Sequence, residues 1–160
     1  HLMPLYPSFS VKDGIVFYSE ILKETVTFLK KFGMVVMVEH ISADASQFQL
    51  LEGLYQKIPE LKFHLDVGHA NLNTDENKTE EFLKRFSKRP EHIHISDNFG
   101  GNVDGDLHLP VGAGNIDWDK IVKLLKKYKY DKTIALEIFS HDRDYLLISR
   151  DKFKKLWHEK

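Results

Sequence analysis

The chain contains no cysteine, which excludes disulfides and thiolate metal sites and leaves only nitrogen and oxygen ligands for any metal. No run approaches the ~18–20 apolar residues of a membrane span, and no charged-then-apolar signal segment opens the chain. Net charge is scarce too. The formal value of -1 argues against a protein whose main task is gripping a phosphate backbone. What is present, 42% hydrophobic and 29% charged residues, suits one ordinary globular domain with enough apolar material for a core. A cytoplasmic protein with no membrane partner is expected. The first residue is His1 rather than Met, which reads either as a missing upstream stretch or as a remnant ahead of Met3.

Helix and strand signals alternate along the chain. Ile15, Tyr18, Leu22, Val26 and Leu29 recur at helical spacing before Gly33, and Val35 to Val38 is a β-branched run of the kind buried on both faces of a parallel sheet. Ser42 to Asp44 offers a cap for a helix with Phe48, Leu51, Leu54 and Tyr55 inward. Leu61 to Asp66 is the next strand. A short helix carrying Phe82, Leu83 and Phe86 precedes a strand from His92 to Ser96, and a long Gly- and Asp-rich loop follows, of a length that is usually functional or disordered. Asp117 caps a helix with Trp118, Ile121, Leu124, Leu125 and Tyr128. Thr133 to Phe139 is the fourth strand, and a last helix runs from about Asp144 to Trp157 with Tyr145, Ile148, Phe153, Leu156 and Trp157 inward. The alternation predicts βα architecture in one domain over residues 1–160. A closed eight-stranded barrel needs roughly 200–250 residues. Three arrangements stay open: the C-terminal half of a barrel, a half-barrel completed by a second copy, or a small open sheet.

Each predicted strand ends in a metal-binding side chain: Glu39, Asp66, His94 and Glu137. One strand-end carboxylate is ordinarily a capping or loop-ordering group. Four are different, because strand ends of a parallel barrel converge on one rim, and several carboxylates there repel unless a cation compensates. Two local patterns add donors. In Asp66-Val67-Gly68-His69 a glycine turn aims both side chains inward, and Asp106-Leu107-His108 puts two more on one face of an extended segment. His92 reads as a hydrogen-bonded interior or supporting residue, His40 faces away from Glu39, His64 lies one pleat below Asp66, and His141 and His158 are surface residues. Gly112-Ala113-Gly114 reads as a tight turn rather than a phosphate cradle, and Lys123, Lys126, Lys127, Lys129 and Lys132 as a solvated helix face.

The order Glu39, Asp66-Val-Gly-His69, His94-Ile-Ser-Asp97, Asp106-Leu-His108-Leu-Pro-Val-Gly-Ala-Gly-Asn-Ile-Asp-Trp118 and Leu136-Glu137 resembles the xylose-isomerase-like TIM-barrel superfamily, which includes sugar phosphate isomerases and epimerases and the endonuclease IV proteins of AP endonuclease family 2. The resemblance implies a (β/α)8 barrel represented by its C-terminal half, about four βα units, with the matching strands being the fifth to eighth. In the epimerase-like members the quartet Glu39, Asp66, His94, Glu137 holds one divalent metal. Endonuclease IV members hold a zinc cluster with further ligands matching His1, His69, Asp106 and His108. The resemblance thus implies a metal-dependent sugar or sugar-phosphate isomerase or epimerase working by proton transfer through a metal-stabilised enediolate, with Glu39 and Glu137 as base and acid and His69 orienting substrate. Asp97 is expected to fix a ligand imidazole. Manganese, zinc or cobalt suits such donors, with iron and magnesium as alternatives. The alternatives are a zinc-dependent abasic-site phosphodiesterase, disfavoured because lysines are dispersed over outer helices, and a non-catalytic half-barrel.

Overall fold

The computed structural model describes residues 10–159. Helix α1 (Val11–Lys30) is capped by Ser10, whose hydroxyl accepts from the Asp13 amide at 3.1 Å. Strand β1 (Met37–Glu39) leads to α2 (Ala45–Lys57), where the Asp44 carboxylate accepts from the Ser46 and Gln47 amides. Then come β2 (Lys62–Asp66), α3 (Thr79–Phe86), β3 (Pro90–Ile95), α4 (Trp118–Lys127), β4 (Thr133–Leu136) and α5 (Asp144–Glu159). Asp117 caps α4 through the Lys120 amide at 2.9 Å. Such caps are each worth about 1 kcal/mol.

The four strands form one parallel sheet in sequential order β1-β2-β3-β4, the arrangement of half a TIM barrel. Alternation along β2 divides its side chains. Phe63 and Leu65 are fully buried toward the helices, while Lys62, His64 and Asp66 point to the other face. The helix side is the core: Phe48 stacks on Phe82 at 4.3 Å, Phe63 meets Phe86 at 5.6 Å, and Leu51, Leu54, Ile93 and Ile121 fill between. Register aligns Glu39 with His64 and Asp66 with His94, so polar side chains of adjacent strands meet at one end.

Two expectations need correction. β1 starts at Met37 rather than Val35, and it is not buried on both faces: Val38 is buried, but Val35 and Met37 are 55% and 38% exposed because the edge of β1 has no further strand among the described residues. In α5, Phe153 is buried and Leu156 and Trp157 pack on the core, whereas Tyr145 and Ile148 are 47% and 56% exposed. Ser149 is buried instead, accepting from the Val111 amide.

Candidate metal centre

The carboxyl ends of the four strands deliver Glu39, Asp66, His94 and Glu137 to one point. One donor atom from each lies within 4.8 Å of all the others. His94 Nδ1 is the hub, 2.8 Å from Glu137 Oε2, 3.6 Å from Glu39 Oε1 and 3.7 Å from Asp66 Oδ2. At 2.8 Å it still forms no angularly acceptable hydrogen bond, and Asp66 Oδ2 is likewise buried without a hydrogen-bond partner among the described residues. Atoms that crowd without aligning on one another are aimed at a common point, as ligands of one cation are. The donor set therefore fits a divalent ion.

Burial shapes the charges. Asp66 is inaccessible to solvent, and desolvation pushes its carboxyl up to about 6 even though His69 opposes the rise. Burial also pushes Glu39 upward, but His94, His64 and His69 outweigh it and bring the group below its ordinary value. The neighbouring Glu39 carboxylate raises His94.

A second donor set adjoins the first. His69 Nε2 and His108 Nε2 stand 3.1 and 3.0 Å from the same oxygen, Asp106 Oδ2. Each ring is fixed from behind by a backbone carbonyl: His69 Nδ1 donates to the His40 carbonyl at 2.7 Å and His108 Nδ1 to the Glu137 carbonyl at 3.0 Å. Burial lowers His69, yet Asp106 and Asp66 more than reverse this and lift it to about 10; burial also lowers His108, but Asp106 and Glu137 outweigh it and raise the ring; burial raises Asp106, but His108 and His69 bring it well below its usual range.

The geometry that delivers these residues differs from the expectation in three places. Asp106 and His108 do meet, but not by alternation along an extended segment: His108 has φ +47°, and it is held there by the Phe139 ring stacked at 3.9 Å and the Phe139 amide donating to its carbonyl. Gly68 has φ −66° and needs no left-handed turn. A Cβ there would sit 2.5 Å from Ser96 Oγ, so close approach selects the glycine. Among the described residues, Asp97 fixes no imidazole. Its carboxylate accepts from the amides of Asn98, Gly112 and Ile116 and from Trp118 Nε1 at 2.8 Å, anchoring the long loop and the Gly112-Ala113-Gly114 turn. His1 lies outside the described residues.

His40, like His64, is a residue at the site to which the sequence assigns no role. It does face away from Glu39, into the cage of Phe63 and Phe82, and it is fully buried. Burial, with help from His69, holds its imidazole down at about 3, so the ring is neutral. Nδ1 donates to the Ser42 carbonyl and Nε2 accepts from the Asp66 amide at 3.2 Å, while the His40 carbonyl holds His69. One residue thus ties the ends of β1 and β2 together. Its adjacency to Glu39 was the available signal.

Comparison with known proteins fits this geometry. The chain is 36% identical over 115 residues to the protein MJ1614 of Methanocaldococcus jannaschii, a match covering 71% of this chain and 43% of MJ1614. It therefore spans less than half the length of the curated relatives it matches. A D-tagatose 3-epimerase-like protein superposes with a TM-score of 0.75 at 23% identity, over 98% of this chain and 60% of that one. An AP endonuclease of family 2 from Brucella melitensis superposes with a TM-score of 0.65 at 13% identity, over 88% and 54%. Both likenesses establish the fold alone. No helix among the described residues is long and apolar enough to cross a membrane. The model of the xylose isomerase-like TIM barrel matches residues 2–156, and the chain belongs to that family.

Proposed function

We propose that residues 1–160 are the C-terminal half of a divalent-metal-dependent sugar or sugar-phosphate isomerase or epimerase. The observation that carries this reading is the quartet, two glutamates from β1 and the end of β4 flanking His94 and Asp66 within 4.8 Å. A bound divalent cation supplies Lewis acidity toward adjacent sugar oxygens. Glu39, kept ionised by its imidazole neighbours, takes the proton from the carbon beside the carbonyl. Glu137, on the other side of His94, returns a proton, and His69, held by the His40 carbonyl, orients a sugar oxygen. Asp66 and His94 serve as ligands. The epimerase names carried by several solved relatives favour this chemistry.

The test is carbon-bound proton exchange. Ketoses and their phosphates are incubated in heavy water with the protein and manganese or cobalt, and deuterium incorporation is followed by NMR. Exchange that disappears in both Glu39→Gln and Glu137→Gln is expected; a metal-loaded protein that exchanges no sugar of the panel contradicts the reading. A second reading, hydrolysis at an abasic site in DNA, is favoured by one specific observation, the convergence of His69 and His108 on Asp106 Oδ2 beside the quartet. Two or three bound ions together with cleavage of an abasic duplex would select it.

A further inference from the structure

Below the strand ends, the inner face of β2 and β3 carries imidazoles where a parallel barrel ordinarily packs branched apolar side chains. His64 and His92 are register partners, and His94 sits one pleat nearer the rim. The ring centroids of His64 and His94 are 4.0 Å apart, those of His64 and His92 4.9 Å, and those of His92 and His94 5.1 Å. Each Nδ1 faces a group outside the trio: His64 toward Glu39 at 3.7 Å, His92 toward Thr133 Oγ1 at 2.6 Å, His94 toward Glu137 at 2.8 Å. The nitrogen remaining on each ring is Nε2. That of His64 is buried and has no hydrogen-bond partner among the described residues. Leaving a buried ring nitrogen in that state is costly unless something occupies the position it faces. One ligand nitrogen from each ring lies within 4.8 Å of the other two.

We propose that His64, His92 and His94 form a second, all-imidazole cation site beneath the carboxylate-rich one, suited to zinc or copper(II) rather than to magnesium or calcium. Imidazole prefers borderline transition metals, whereas the hard alkaline-earth ions take oxygen. Zinc binds imidazole nitrogen at about 2.0–2.1 Å, and the three rings already adjoin. A cavity of about 430 Å³, bordered by Leu22, Met37, Ile41 and Glu39, reaches His64 and His94. His94 serves both sites through its two nitrogens. The triad does not depend on an ion in the quartet, so the two assignments fail separately.

The test uses the full 160-residue chain, stripped of metal and titrated with copper(II) under electron paramagnetic resonance. In an E39Q/E137Q variant, which disables the quartet, copper is expected to bind with nitrogen hyperfine splitting from three imidazoles. Adding H64Q, or separately H92Q, should lower affinity by roughly 100-fold, since losing even an outer partner of a ligand costs about 10–100-fold, and should reduce the nitrogen count. Two independent variants, checked by circular dichroism, guard against misfolding of either. Copper binding in E39Q/E137Q that neither H64Q nor H92Q alters, or no binding there at all, overturns the triad. If the wild type then still binds manganese in a manner lost in E39Q/E137Q, the quartet stands and only the triad falls.

Discussion

Asp66 and Asp97 are the same residue type, equally inaccessible to solvent, and sit at the carboxyl ends of neighbouring strands. Asp97 is saturated, with three backbone amides and an indole N–H directed at its two oxygens. Asp66 is not. One of its oxygens accepts from the His69 amide at 2.9 Å, and the other accepts from nothing among the described residues while facing His94. Protein donors alone satisfy the first carboxylate. The second lacks such donors, and burial raises its pKa accordingly. The difference separates a carboxylate that holds a loop from one with an oxygen that could serve a metal ion.

Removing Asp97 should have the largest effect. Asp97→Ala strands the N–H donors of Gly112, Ile116 and Trp118, each worth about 1–3 kcal/mol when left unpaired, so a loss of about 3–5 kcal/mol is expected in denaturant unfolding of the metal-free chain. A loss below about 1 kcal/mol would place Asp97 outside the structural role assigned to it. Next in size is the response to metal. Manganese or zinc at a hundred times its dissociation constant should stabilise the wild type by about 2.7 kcal/mol, read as a raised melting temperature, and should leave Asp66→Asn unmoved.

The third prediction concerns pH. The carboxyl of Asp66 titrates near 6 when folded and near about 3.9 when unfolded, so the unfolded chain gives up its proton first. Stability from this group is therefore greatest in acid and declines as pH rises from about 4 to about 6, by about 2 kcal/mol. Asp66→Asn should abolish that decline, and saturating metal should oppose it; unfolding midpoints of the metal-free wild type and variant across this range check both. The smallest effect belongs to Trp118→Phe, which keeps the ring and removes one of the four donors to Asp97. About 1–2 kcal/mol is expected, and metal affinity should stay as in the wild type.

Only the Asp66 half of this contrast is legible in the sequence, and the reasons for the rest are physical. The quartet was legible because a parallel strand fixes where its last residue goes, and four strands with donor ends can only bring them together. Caps at Asp44 and Asp117 were legible because a cap acts on amides two or three residues away. Asp97 was misassigned because its decisive partners lie 15 to 21 positions downstream, beyond any local pattern. Alternation correctly turned His40 away from Glu39, but periodicity names a face and not a partner, so its bond to the Asp66 amide stayed hidden. His108 reaches Asp106 through a left-handed backbone that no alternation rule anticipates in a histidine. In α5 the hydrophobic pattern names Tyr145 and Ile148 as inward, yet both are exposed, because periodicity does not show how far a helix is covered.

The most direct test is anomalous diffraction from crystals of the protein grown with manganese. A single strong peak within about 2.0–2.3 Å of donor atoms from Glu39, Asp66, His94 and Glu137 is the result expected. Saturating manganese with no peak among those four side chains, or with peaks only elsewhere, would contradict the account.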